Sequence, residues 1–231
     1  MTISTPGLVL HTTPYAESSV VAKVFTRQLG VRSYMVKGVR GNRGRVKQNL
    51  LQPLSSLDMV VYVNPKADLN HVKEISPRHP GQDSDPVANA LRFFMTEVLY
   101  KTLREEEPMP ALWDYVDAVG ANDYSPSPAQ FPILFMLTVA RHLGIEPMDN
   151  HSRREPLFDL QQGRFVAAPT ETTLPPTLSE ALHNYLSDGA THNFPLRTRR
   201  ELLNALIAYF QLHLNGFSHF HSHEILHTIL K

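Results

Sequence analysis

"GLVLHTTPYAESSVVAKVF", residues 7–25, holds two short apolar runs separated by a polar turn. Three more runs rich in β-branched and aromatic residues follow: "RSYMVK" at 32–37, "LDMVVYV" at 57–63 and "NHVKEI" at 70–75. Runs of this length between turn-forming residues predict β-strands. Five strands with no long helix among them predict that the first third of the chain folds as a small closed barrel.

The strand pattern ends at "SPRHPGQDSDP", residues 76–86, and apolar residues then recur at helical spacing. We therefore predict an α+β protein with two domains. Residues 1–78 are expected to form a five-stranded OB-fold barrel, a fold that commonly binds oligonucleotides. The strand count alone leaves an SH3-like barrel open. Residues 79–231 are expected to form an α-helical domain with an irregular insert around 146–176.

Helix ends in the second domain are predicted from capping residues. Asp85 followed by Pro86 indicates the first helix start, and a second helix carries Leu112 to Val119. A third runs from Ser127–Pro128 to Gly144. Two later helices are predicted to start at capping boxes, Thr177 with Glu180 and Thr198 with Glu201. A last short helix is predicted to start at Ser222, and one long helix is expected to end at Gly216.

Charge is distributed unevenly along a chain whose formal net charge is zero. Residues 1–76 hold ten Lys or Arg against four Asp or Glu, whereas residues 77–231 hold twelve against eighteen. No acid occurs between Ser18 and Leu57, where eight basic residues lie. The positive electrostatic field of such a stretch attracts a polyanion. The barrel is therefore the predicted nucleic-acid-binding part of the chain.

The sharpest basic feature is the loop "VKGVRGNRGRVKQNLLQP", residues 36–53. Its glycines allow close approach to a ligand, and guanidinium groups can grip phosphates bidentately. The predicted DNA-binding residues are those of the loop, followed by three in the strands: Lys37, Arg40, Arg43, Arg45, Lys47, Lys23, Arg27 and Arg32. Aromatic residues that could stack on bases are Phe25, Tyr34 and Tyr62, but the core is the expected place for each of them. A loop that is merely solvated is the alternative.

Twelve histidines include five between residues 213 and 227, and "HEILH" at 223–227 matches the letters of the HExxH zinc-protease motif. A metalloprotease needs a third ligand and a cleft, and nothing in the sequence marks either. Surface or packing roles for these histidines are favoured. No phosphate-binding loop, Gly-x-Ser-x-Gly elbow or dinucleotide fingerprint occurs in the sequence.

A cluster of arginines begins one of the later helices. Arg197, Arg199 and Arg200 oppose the helix dipole there, so a bound anion or acidic peptide would explain them. A solvated first turn explains them equally well. Leu202, Leu203 and Leu206 follow in the same helix.

The absence of cysteine excludes disulfides and thiolate metal sites. No signal peptide is recognised at the N-terminus, and the apolar stretch 131–140 is too short to cross a bilayer. A cytoplasmic, nucleoid-associated protein without a membrane partner is the expectation.

Three stretches resemble the bacterial RecO family of recombination mediators, in the family's order. They are residues 7–62, "TEVLYKTLREEEPMPALWDYV" at 96–116, and "LLNALIAYFQLHLNGFSHFHSHEIL" at 202–226. "FDLQQGRF" at 158–165 is similar to the shorter versions found in Bacteroidetes. The resemblance covers nearly the whole chain.

The resemblance implies an N-terminal OB-fold and a helical domain that bind single- and double-stranded DNA, anneal strands and work with RecR in the RecF pathway. It also implies binding of the acidic C-terminal tail of single-stranded DNA-binding protein, and indirect contact with the RecA filament through its loading. A protein that is not an enzyme is implied as well. Arg197, Arg199, Arg200 and Leu203 are the candidates for that tail site.

Many family members carry a four-cysteine zinc site, but the matching region here, about 147–169, has no cysteine. No zinc and no other cofactor is therefore expected, and Leu157, Phe158 and Phe165 are predicted to hold the region by packing. Two other functions stay open: a generic OB-fold nucleic-acid-binding module without mediator activity, and a metal-dependent enzyme that uses His223 and His227.

Overall fold

The computed structural model of the protein describes residues 1–15, 17–39, 48–64, 67–79, 85–121 and 127–230. These residues belong to two compact units, residues 1–123 and 124–231. The first unit holds five strands and two helices in chain order: β1 (Thr2–Pro14), β2 (Ser19–Thr26), β3 (Gly30–Lys37), β4 (Ser56–Tyr62), β5 (Leu69–Pro77), α1 (Pro86–Thr102) and α2 (Pro110–Ala121).

The strands of the first unit close into a barrel in the order β1-β2-β3-β5-β4, which confirms the predicted five-stranded, OB-like barrel. The β3–β5 pair is parallel and the other pairs are antiparallel. β1 is longer than predicted because it pairs with β4 through Thr2–Leu8 and with β2 through Gly7–Pro14. A Cβ at Gly7 would lie 2.6 Å from Val24 Cγ1, so the close packing here requires glycine.

The barrel is filled by alternate side chains of its strands, among them Val20, Ala22, Val24, Tyr34 and Met59. Tyr34 is buried inside the barrel, and Phe25 is equally buried on the other side of its strand. The prediction that these two rings are core residues is thus confirmed. It is wrong for Tyr62, which is 49% exposed at the end of β4.

The first helix begins as predicted, with the Asp85 carboxylate accepting a hydrogen bond from the Ala88 backbone N–H at 2.8 Å. Pro86 occupies the first helical position, where its missing N–H costs nothing. In α2 the Trp113 indole donates a hydrogen bond of 2.9 Å to the Phe25 carbonyl, which ties this helix to β2. Both helices belong to the same compact unit as the barrel.

The second unit contains four helices and a short hairpin in its described residues: α3 (Phe131–His142), β6 (Leu157–Asp159), β7 (Arg164–Val166), α4 (Pro176–Asp188), α5 (Leu196–His213) and α6 (Ser222–Ile229). α3 begins three residues later than expected, after a turn at 127–130. α5 ends at His213, three residues before Gly216.

The predicted capping boxes are wrong. α4 and α5 are preceded by Pro175 and Pro195, and neither N-cap makes a side-chain hydrogen bond. Thr177 and Thr198 therefore lie inside the first turn, where a proline with extended backbone has already set the start. Ser222 is likewise the first helical residue of α6, and His221 holds the N-cap position.

The insert is more regular than predicted, because β6 and β7 form a hairpin within it. Phe158 and Phe165 are fully buried with ring centroids 5.1 Å apart, which confirms their predicted packing role, whereas Leu157 is only partly buried. Gly163 closes the turn at φ +67°, a conformation that favours glycine.

A buried carboxylate holds the chain that follows the hairpin. Asp159 accepts hydrogen bonds from the Gln162 N–H at 2.7 Å and from the hydroxyls of Thr170 and Thr172. Burial raises the pKa of this carboxyl, but the hydrogen bonds outweigh that effect and hold the pKa below its usual value. The geometry of the insert thus rests on packing and on one ionised side chain.

No helix in the described part of the chain has the length and hydropathy needed to cross a membrane.

Candidate functional site

The basic loop leaves the barrel at the end of β3. Lys37 is exposed there and lies opposite Ser19 in the β2–β3 pairing. Val39 and Leu51 are both buried in the barrel core, so both ends of the loop are fixed to the barrel. Arg40, Arg43, Arg45 and Lys47 lie outside the described residues.

The three predicted basic residues of the strands are all engaged in ion pairs within their own unit. The Arg27 guanidinium donates two hydrogen bonds, of 2.6 and 2.8 Å, to the Asp114 carboxylate. Lys23 Nζ lies 2.8 Å from Glu105 Oε1, and Arg32 Nη1 lies 3.2 Å from Glu106 Oε1.

These contacts affect the charge available to a ligand. Hydrogen bonding by Arg27 lowers the pKa of the Asp114 carboxyl, so both partners stay charged at neutral pH. Lys23 also lies over the Tyr100 ring, 5.0 Å from its centroid. Lys37 forms no ion pair with any residue that the structure describes. Among the predicted DNA contacts in the described residues, it is therefore the one whose charge is free to bind a ligand.

The second unit contains an apolar groove where α5 begins. Its walls come from the start of α3, the first two turns of α5, and α6, and it encloses about 330 Å³, part of which is open to solvent. Its apolar lining is Pro132, Ile133, Leu196, Leu203, Leu226 and Leu230, and its polar lining is Arg199, Arg200 and His227.

Two arginines give this groove its positive charge. The Arg199 side chain makes no hydrogen bond or ion pair with another described residue, and its charge acts on the nearby Tyr185 phenol. Arg200 donates through Nη2 to the His227 carbonyl in α6, while its buried Nε has no hydrogen-bond partner in the described structure.

His227 adds a titratable group to the same wall. Burial, with the charges of His223 and Arg200, lowers its pKa, so the imidazole is neutral at pH 7. Its buried Nε2 has no hydrogen-bond partner among the described residues. A groove with two guanidinium groups and a neutral imidazole among leucines suits a ligand with a carboxylate beside apolar side chains.

Only some of the predicted peptide-site residues line the groove. Arg199, Arg200 and Leu203 line the groove together. Arg197 does not line it; this residue is almost fully exposed and its Nε donates to Glu201 at 2.7 Å. Leu202 and Leu206 are buried and do not line the groove.

Sequence reasoning missed the contribution of α6. Leu226 and His227 of α6 and Leu230, the residue that caps its C-terminus, form one wall of the groove. The "HEILH" pattern at the same place is typical of a metal site and does not indicate a groove wall. His223 and His227 lie edge to face with ring centroids 5.6 Å apart. The described residues include no cluster of three or more His, Asp or Glu that would hold a metal ion.

Comparison with known proteins places both units in one family. The model of the recombination protein O N-terminal domain matches residues 1–80, and the model of its C-terminal domain matches residues 83–222. Flavobacterium johnsoniae has a "DNA repair protein RecO" that is 28% identical over 237 residues, covering 99% of each chain. The protein of the same name from Porphyromonas gingivalis is 30% identical over 243 residues, with 99% of each chain covered.

Proposed function

Because this chain belongs to the RecO family of DNA repair proteins, we propose that it acts as a recombination mediator on strands coated with single-stranded DNA-binding protein. In this role it binds DNA through the barrel, anneals complementary strands, and works with RecR to help load RecA. It performs no bond-making chemistry of its own. The observation that carries the proposal is the groove, which pairs Arg199 and Arg200 with a leucine-rich lining.

We infer that the groove takes the C-terminal tail of single-stranded DNA-binding protein. That tail is acidic and ends in apolar residues, so it needs cations at the rim and an apolar pocket beside them. The Arg199 side chain makes no hydrogen bond or ion pair with another described residue, and Arg200 lines the groove beside it. A carboxylate of the tail would bind between these guanidinium groups while an apolar side chain packs against Leu203.

Titration of a labelled tail peptide tests this assignment. The charge reversals Arg199→Glu and Arg200→Glu together should lower peptide affinity by roughly tenfold or more, because each removes a charge-assisted contact and adds repulsion. Arg199→Glu alone should show most of the loss without disturbing the Arg200–His227 contact. Unchanged affinity in both variants would place the tail elsewhere.

A matched control is available in the same unit. Arg153 and Arg154 are adjacent and exposed, so their reversal to Glu changes net charge by the same amount away from the groove. This control should bind the peptide with nearly the affinity of the unchanged chain. Equal losses in control and test variants would mean that only net charge matters.

For the barrel we propose that Lys37, Arg40, Arg43, Arg45 and Lys47 contact the phosphate backbone without reading sequence. Irregular spacing and interspersed glycines suit phosphates better than fixed base edges. Annealing of complementary strands coated with the cognate single-stranded DNA-binding protein, with and without this chain, tests mediator activity directly. A chain that binds DNA but leaves this annealing rate unchanged would be a generic binding module.

A further inference from the structure

The β2–β3 hairpin, Ser19–Lys37, is covered by the chain that follows α1. Strands 2 and 3 of OB-folds form the face on which oligonucleotides commonly bind. Phe25 alternates with the barrel-core residue Val24 and so faces out of the barrel, yet it is fully buried. The Glu106 N–H donates to the Val31 carbonyl at 3.0 Å, so residues after α1 run along the hairpin.

This covering chain is acidic, and three of its four carboxylates pair with three of the hairpin's four cations. We call Glu105–Asp114 the acidic segment. Glu105 pairs with Lys23, Glu106 with Arg32 and Asp114 with Arg27. The approach is close, since a Cβ at Gly30 would lie 2.5 Å from the Glu107 carbonyl oxygen.

In two of the three pairs the carboxylate is much more exposed than the cation. Side-chain exposure is 62% for Glu105 against 25% for Lys23, and 58% for Glu106 against 15% for Arg32, whereas Asp114 and Arg27 are similarly exposed. A phosphate that approaches Lys23 or Arg32 from solvent therefore meets the carboxylate before it meets the cation. Its attraction to the hairpin is reduced by repulsion of like charge.

We propose that the acidic segment is a built-in electrostatic screen that restricts nucleic-acid contact at Lys23, Arg27 and Arg32 and leaves Lys37 as the entry point. This proposal rests on the proposed DNA binding by the barrel. A strand reaches Lys23, Arg27 and Arg32 only if its phosphates replace the carboxylates. Exposed ion pairs are individually weak, so the exchange is feasible where several phosphates arrive together.

Neutralising the screen tests the proposal. The variant Glu105→Gln, Glu106→Gln, Asp114→Asn keeps the side-chain shapes and frees three cations. Its affinity for a mixed-sequence single-stranded oligonucleotide should rise at least roughly tenfold at low salt. The slope of log K against log salt should steepen by up to about two, since each added phosphate contact contributes about −0.7.

The control variant makes the same change in net charge within the second unit. Glu171→Gln, Glu180→Gln, Asp188→Asn neutralises three exposed carboxylates, and it should change affinity and slope much less. Lys23→Ala and Arg27→Ala, added to the neutralised variant, should abolish its gain. The double variant Glu105→Gln, Glu106→Gln provides a smaller gain of the same sign if loss of the Asp114 contact prevents folding.

The outcomes separate the two proposals. If the unchanged chain binds the oligonucleotide and the neutralised variants bind with the same affinity and slope, the screen is refuted while DNA binding stands. A gain no larger than that of the control variant refutes the screen equally. If neither the unchanged chain nor any variant binds, DNA binding by the barrel fails as well.

Discussion

Replacing Asp159 by Asn should destabilise the second unit, because this buried carboxylate holds the chain that follows the β6–β7 hairpin. Asp159 is 1% exposed. One of its oxygens accepts from the Gln162 N–H, and the other accepts from the hydroxyls of Thr170 and Thr172. Asn preserves the shape and the first contact, but its amide nitrogen cannot accept from the two hydroxyls.

The expected cost is about 2 kcal/mol in the free energy of unfolding. Hydrogen bonds to a charged group contribute about 1.5–3 kcal/mol each, against about 1 kcal/mol for neutral pairs. The hydroxyls of Thr170 and Thr172 can turn and accept from the new amide, so the loss is the difference for two contacts. In a unit of this size that cost lowers the melting temperature by about 5–10 °C.

Thermal unfolding followed by circular dichroism at several pH values provides the assay. The folded-state pKa of Asp159 lies below its unfolded value, so its stabilisation is present above about pH 4 and is lost as pH falls through the folded pKa. The difference in melting temperature between the unchanged chain and Asp159→Asn should therefore disappear in acid. Glu171→Gln, an exposed neighbour, should shift stability by less than about 0.5 kcal/mol. A gap that is absent at pH 7, or that persists below the folded pKa, would refute the role given to the carboxylate.

Three further predictions concern metal, DNA and charge. Elemental analysis of purified protein should find no tightly held zinc, because no thiolate ligand exists, and one zinc per chain whose chelation lowers the melting temperature would contradict this. Arg40→Ala, Arg43→Ala and Arg45→Ala together should weaken binding to unrelated DNA sequences by similar factors and flatten the salt slope by roughly two, whereas an unchanged slope would make the loop a solvated connection. Asp114→Asn should lower the melting temperature slightly at pH 7, and this difference should disappear as the pH falls through the folded-state pKa of Asp114, which lies below its usual value. A difference that is constant with pH would show that the charge of Asp114 does not stabilise the fold.

The barrel was predictable because its signal is local. Alternation of apolar and polar residues marks each strand, and the turns between them carry glycine, proline or asparagine. β1 was underestimated because residues 2–6, "TISTP", pair with β4 although they hold few large apolar side chains. Pairing with a strand more than fifty residues away is a property of the closed barrel and leaves little trace in the local pattern.

Helix starts were predicted less well for a related reason. The Thr177 and Thr198 boxes have the right spacing, but Pro175 and Pro195 set the starts two or three residues earlier. A proline with extended backbone competes directly with a capping side chain, and the spacing rule does not weigh the two. The groove depended on still longer-range packing, since its α6 wall lies more than twenty residues beyond Arg200 in sequence.

The fold changes the surface charge that the local sequence predicts for the barrel. The stretch from Ser18 to Leu57 contains no acid, which predicts a strongly positive surface. The fold brings Glu105, Glu106 and Asp114 onto it, although the most distant pair, Arg27 with Asp114, is separated by 87 residues in the sequence. Of the basic strand residues, Lys37 keeps its charge free of an ion pair with the described chain. A DNA strand that follows the positive field should thus reach Lys37, at the end of β3, before it reaches Lys23, Arg27 and Arg32.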